Sequence, residues 1–106
     1  MRRNERAALD WEQYLALVPD DDAAYFALGQ LRQSLNQHQA AVDALGRAIA
    51  LQDGVGEYHA ARSQSYAALG NRPAALADAL RAMQLGVQLE PAYLQALQEP
   101  AGSQGR

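Results

Sequence analysis

The sequence predicts an all-α chain, an α-α superhelix or solenoid of about six helices folded as helix-turn-helix hairpins. Three observations carry this expectation. Residue types return at intervals of 34, the apolar residues inside each interval keep helical spacing, and prolines, glycines and capping residues fall where helices would start and stop.

The interval is read from four sets. Tyr25, His59 and Tyr93 stand 34 residues apart, as do Ala7, Ala41 and Ala75. Leu15, Ile49 and Met83 repeat the spacing, and so do Leu17, Leu51 and Leu85. One hairpin of this length cannot bury its apolar face alone; stacked neighbours make a continuous core.

Each element follows from local chemistry. In the first helix, 4–18, Trp11, Leu15 and Val18 lie at i, i+4 and i+7, on one face. Pro19 and the run Asp20, Asp21, Asp22 close it and supply an N-cap for the second, 22–35. Asn36 to His38 form a polar break before the third, 39–52, whose stripe includes Leu45, Ala48 and Ile49. Asp53, Gly54 and Gly56 break the chain again, and Glu57 opens the fourth, 57–69. Gly70 suits a left-handed C-cap. Pro73 is placed at the first position of the fifth helix, 73–86, with Leu76, Leu80 and Met83 on one face. Pro91 opens a short sixth helix, 91–98, and Pro100 ends it, leaving 99–106 as a flexible tail rich in Gly, Ser and Gln. Strands are not expected, because β-branched residues are few and no alternation of period two persists.

Composition narrows the function. A chain of 106 residues, 49% hydrophobic and 20% charged, suits one folded domain. The net charge of -3 weighs against nucleic acid, which calls for a basic stripe. Every positive charge is Arg; without Lys there is no Schiff-base or P-loop chemistry. Cysteine is absent, which removes disulfides, thiolate nucleophiles and Cys-ligated zinc. The charged N-terminus lacks the apolar core of a secretory signal, and no run approaches the roughly 20 apolar residues of a membrane span. No membrane insertion is expected. Location is cytoplasmic by default, or periplasmic if the chain is a fragment of something longer. The Ala-rich, all-Arg composition suggests a bacterial source.

Candidate chemical groups are sparse. His38 and His59 are the two histidines. His59 shares the register of Tyr25 and Tyr93 and is expected to pack; His38 falls in a turn and is expected to face solvent. Neither belongs to HExxH. Asp20 to Asp22 lack the spacing of a calcium loop and read as caps on a helix dipole. Ser63 and Ser65 have no base to activate them. No catalytic residue, metal or cofactor is expected, and the chain is read as a non-enzyme.

These residues resemble tetratricopeptide repeats. The stretch 56–89 carries the resemblance best, with Tyr58, His59, Arg62, Ser63, Tyr66, Leu69, Gly70, Ala75, Leu76, Asp78, Ala82 and Leu85. The stretch 22–55 offers Tyr25, Leu28, Gly29, Ala41, Leu45, Ala48 and Ile49. Ala7, Trp11, Leu15, Leu17 and Pro19 resemble the second helix of a preceding copy. The organisation implied is one domain, 1–98: a half repeat 4–21, full repeats 22–55 and 56–89, and a terminal helix 90–98. There are departures: Arg32 stands where the pattern wants an aromatic, Arg62 and Ser63 replace a Leu-Gly pair, and Asp53 and Val87 stand at proline positions. Small residues recur at Gly29/Ser63, Ala41/Ala75 and Ala48/Ala82, as close helix crossings require. The lone first helix either caps the stack or marks a cut through a longer array.

The resemblance implies that the first helix of each repeat lines a concave groove for a protein or peptide partner. Groove positions would be Phe26, Gln30 and Gln33, with Ala23 and Ala27, then Glu57, Ala61, Gln64 and Ala68, with Ala60 and Ala67. Leu94, Gln95 and Gln98 would close the far end. Phe26 follows Tyr25, and two adjacent rings on a helix cannot share one core. It is either a groove anchor or tucked against the neighbouring helix. Part of the family grips C-terminal carboxylates with Lys, Asn and Arg; here those places hold Phe26, Gln30, Ala61 and Leu94. A short apolar or amide-bearing segment fits better. The expected function is a non-catalytic binding scaffold. The alternative is a self-association segment of a larger array, with terminal helices pairing between chains as a homo-oligomer.

Overall fold

The computed structural model describes residues 2–99, which form six helices in chain order: α1 (Arg2–Leu17), α2 (Asp22–Ser34), α3 (His38–Leu51), α4 (Gly56–Ala68), α5 (Arg72–Gln84) and α6 (Pro91–Gln98). Every helix end lies within two residues of its expected place. Pro100 and the expected tail beyond it fall outside the described residues.

The helix ends have identifiable causes. Asp21 caps α2 by accepting the Ala24 N–H at 3.1 Å. It also accepts the Tyr14 hydroxyl at 2.6 Å, which ties α1 to the cap. That bond, and then the Ala24 N–H, hold the Asp21 carboxyl below its ordinary value. Asn36, at φ 59°, and Gly70, at φ 81°, turn the chain left-handed after α2 and α4. Pro73 lies one position later than expected. Asn71 takes the cap by accepting the Ala74 N–H at 3.3 Å, so Arg72 is the first helical residue and Pro73 the second. The ring is tolerated there because that N–H has no helical partner to lose.

The helices pack in sequence. α2 with α3 and α4 with α5 form hairpins, α3 carries one onto the other, and α1 and α6 pack at the two ends. The result measures 48 × 29 × 17 Å. Ala41, Leu45, Ala48, Ala75, Ala79 and Ala82 all have 0% exposure, so the 34-residue interval returns to the same crossings. One fully buried leucine such as Leu45 contributes about 2 kcal/mol. The close approach depends on size: a Cβ at Gly29 would meet Leu45 Cγ at 2.6 Å. Another cluster joins Ala75, Ala79 and Leu97, with Tyr66, Leu76, Leu89, Tyr93 and Leu94 packed against it.

The second hairpin replaces part of this apolar packing with polar bonds. Arg62 donates from Nε and Nη2 to the two carboxylate oxygens of Asp78, at 2.8 and 2.9 Å. Its guanidinium also lies 5.7 Å over the Tyr66 ring. The Asp78 bond raises the Arg62 pKa further. The Ser63 hydroxyl donates to the Ala75 carbonyl at 2.7 Å and lies 2.7 Å from the Tyr93 hydroxyl. These are the positions where the sequence departs from the repeat pattern, and each departure has a partner.

Candidate functional site

α2 and α4 lie side by side, held by contacts at both ends. Near their N-termini, Phe26 meets Tyr58 with ring centroids 4.9 Å apart and planes at 38°. The Tyr58 hydroxyl donates to Asp22 Oδ2 at 2.5 Å. Burial, and then that bond, push the phenol up to about 12. Further along, Gln33 Nε2 donates to the Ala61 carbonyl at 2.6 Å and to Ser65 Oγ at 2.8 Å. Two of the expected groove residues are therefore engaged with each other: Gln33 is half-buried, and Ala61 is 9% exposed. Phe26 is half-buried against the neighbouring helix.

The remaining positions stay accessible. Ala23, Gln30, Glu57, Gln64, Ala68 and Gln95 are exposed, and Ala27, Ala60 and Ala67 are half-buried. Two hollows of similar size sit beside these helices. One, of about 460 Å³, is lined by Ala60 and Gln64 of α4 and by Gln88, Leu89, Glu90, Pro91 and Tyr93. The other, of about 430 Å³, is lined by Ala27, Gln30, Leu31 and Ser34 of α2 and by Asn4, Ala7 and Trp11 of α1. Gln30 and Gln64, one interval apart, hold equivalent places in them.

The far wall differs from the expectation. It is built by the segment between α5 and α6, from Gln88 to Pro91, with Tyr93. Leu94 is half-buried against the core cluster instead. Gln98 lines a separate hollow with Gly70, Arg72, Pro73, Leu76, Leu97 and Glu99. The expected fifth helix runs to Gly86, but α5 ends at Gln84 and Gly86 turns left-handed at φ 99°, which frees the segment before Pro91 to form this wall.

The α4 hollow is lined by amides and one carboxylate, Glu90, and Glu57 stands on the same face of α4 at three- and seven-residue spacing from Ala60 and Gln64. No arginine lines this hollow; Arg32 pairs with Glu12 and donates to Gln37 Oε1 at 2.7 Å, and Arg62 pairs with Asp78. A glutamine amide offers both donors and an acceptor, matching a peptide backbone. The histidines take structural places. His59 is buried, with Nε2–H donating to the Asp53 carbonyl at 2.9 Å. His38 opens α3 and is half-buried, not solvent-facing as its place in the polar break suggested. Among the described residues no group of three or more His, Asp or Glu could hold a metal ion. No described helix is long and apolar enough to cross a membrane.

Hairpins stacked in this register define a helical solenoid of the tetratricopeptide type. Solved structures share it. The crystal structure of MamA superposes with a TM-score of 0.77 at 24% identity, covering 78% of this chain and 48% of that one. The type III secretion chaperone SycD of Yersinia enterocolitica, solved with a peptide of the translocator YopD, superposes with a TM-score of 0.80 at 16% identity, covering 90% of this chain and 79% of that one. The chain thus spans about half the length of the MamA structure it matches. At these identities the likeness is one of fold. No protein-family model matches the chain, and no curated protein sequence matches it significantly.

Proposed function

We propose that the chain is a non-catalytic scaffold that holds a short peptide segment of a partner protein along α4, in the hollow walled by the α5–α6 segment. The observation that carries this reading is the lining of that hollow. Ala60, Leu89, Pro91 and Tyr93 supply apolar surface, and Gln64 and Gln88 supply amides. Such a mixture suits an apolar side chain of the ligand while the glutamines pair with its backbone. The 2.7 Å bond between the Ser63 hydroxyl of α4 and the Tyr93 hydroxyl of the wall supports the reading, since a hollow fixed before binding avoids the cost of ordering it. With Glu57 and Glu90 beside it and Arg32 and Arg62 engaged elsewhere, the site favours a neutral or basic segment over an acidic tail. SycD, of the same fold, was solved with a peptide, which is consistent with such a use.

The test is selection from a displayed peptide library on the immobilised chain, followed by affinity measurement. Neutral or basic peptides with an apolar residue are expected, and Ala60→Trp, which fills the hollow, is expected to weaken them at least tenfold with an unchanged helical spectrum. Equal affinity for the parent and for Ala60→Trp would remove the site from consideration.

A further inference from the structure

We infer that the α4 hollow selects an arginine in the bound segment, with Glu90 and Tyr93 recognising its guanidinium and Glu57 as a second carboxylate beside them. The inference rests on the reading of this hollow as the peptide site, and deepens it by naming the side chain that the site reads. The hollow lies inside the stack. One side is α4, and the other is the α5–α6 segment with the start of α6, so both walls belong to the described residues.

Its charge has one sign. Among the described residues that line it, Glu90 alone is charged. Glu57 stands on the same face of α4, one turn before Ala60. Both carboxylates are exposed, and neither enters an ion pair, whereas Glu12 and Asp78 are paired with Arg32 and Arg62. Nor is either used to close a helix end: Val55 and Glu90 hold the cap positions of α4 and α6, and neither makes a side-chain capping bond. A cleft that bears one sign of charge concentrates its field on an entering ion of the other sign.

Tyr93 adds a preference for shape. It stands three residues after Glu90, is half-buried and lines the same hollow. Its hydroxyl lies 2.7 Å from the Ser63 hydroxyl, so the ring is held in place. A carboxylate beside a ring is how this chain already holds a guanidinium. Arg62 bonds both oxygens of Asp78 at 2.8 and 2.9 Å and lies 5.7 Å over the Tyr66 ring. The hollow offers the same two groups and no arginine of its own. A planar guanidinium bonds a carboxylate through two N–H groups while stacking on a ring; a compact ammonium does not combine the two. Part of the apolar lining then covers the methylene stem, and the rest remains for the apolar residue of the segment.

A random displayed peptide library, selected on the whole immobilised chain, tests the inference. Arginine is expected in excess over lysine at one position of the enriched peptides. One such peptide is resynthesised with that arginine as lysine, and as citrulline, which keeps the planar shape and removes the charge. Affinity for the parent should fall about threefold with lysine and about tenfold with citrulline. Glu90→Gln should weaken the arginine peptide about tenfold and barely change the citrulline form, with the helical spectrum unaltered. Glu57→Gln should act in the same direction and less strongly. Tyr93→Leu should erase the preference for arginine over lysine. Peptides that lack a basic residue yet are lost by Ala60→Trp keep the hollow as the site and overturn the arginine. An arginine peptide that binds Glu90→Gln as tightly as the parent overturns it as well, and lysine bound as tightly as arginine overturns the role of Tyr93. Peptides indifferent to Ala60→Trp, or no enriched peptide at all, remove the site itself and the inference with it.

Discussion

Gly29 and Leu45 pack so closely that one methyl group at position 29 would stand 2.6 Å from the Leu45 Cγ, in a place with 0% exposure at Leu45. One interval on, the same two positions are Ser63 and Ala79, so the larger residue has changed sides of the crossing. Gly29→Ser should therefore cost about 1–3 kcal/mol through overpacking, despite the better helix former. Leu45→Ala alone should cost about 2–5 kcal/mol through its cavity. The double variant reproduces the second hairpin's pair and should lose less than the sum of the two. Thermal unfolding of all four proteins measures the coupling.

The Arg62–Asp78 pair places a carboxylate in the second hairpin with side-chain exposures of 23% and 7%. Asp78→Ala strands the Arg62 guanidinium, and a loss of about 2–4 kcal/mol is expected. Replacing both, as Arg62→Leu with Asp78→Ala, should recover most of it, since apolar replacement of a buried pair is often neutral. Urea unfolding midpoints decide this, and a double variant as weak as Asp78→Ala would show that the pair does more than satisfy itself.

Tyr58 sets an alkaline limit. Its phenol is raised to about 12 in the folded chain against an ordinary value near 10. A raised value favours the protonated form in the fold. The contribution is complete below about pH 10 and disappears as pH climbs to about 12. Discounted for solvent at the hydroxyl, it amounts to about 1–2 kcal/mol. Stability followed from pH 9 to 12 should fall more steeply in the parent than in Tyr58→Phe. Asp21 acts in the opposite direction: its lowered value contributes above the ordinary carboxylate range and is lost as pH falls through it.

Gln33 and Gln64 look alike in the sequence and should behave differently. Gln33→Ala removes both bonds to α4 and leaves the Ala61 carbonyl without that donor, so a loss of about 1–2 kcal/mol is expected. That corresponds to a melting temperature lower by roughly 4–8 °C for each kcal/mol. Gln64→Ala touches an exposed side chain and should stay within about 0.5 kcal/mol.

The contrast between those glutamines marks where the sequence stops being legible. Periodicity exposes the hairpins because Ala41, Ala75, Ala48 and Ala82 must all be small at equivalent crossings. Caps such as Asp21 and Gly70 are readable because backbone groups at a helix end demand them. Direction is harder. A glutamine on the groove-side helix is equally compatible with solvent and with a carbonyl on the next helix, and only the spacing of α2 and α4 decides that Gln33 turns inward. The departures at Arg62 and Ser63 were visible as departures, but Asp78 and Tyr93 as their partners depend on tertiary packing. The far wall of the α4 hollow comes from a segment without helical periodicity, where pattern carries little.

The central claim is that α2 and α4 present a pre-set face whose α4 hollow receives a peptide segment. Titration of the isotopically labelled chain with a library-selected peptide, followed by amide and methyl shifts, tests it most directly. The account predicts the largest changes at Ala60, Gln64, Leu89 and Tyr93, with the exposed outer arginines Arg47 and Arg81 unmoved. Changes concentrated around Arg47 and Arg81, or none around Ala60 and Leu89 at saturation, would contradict it.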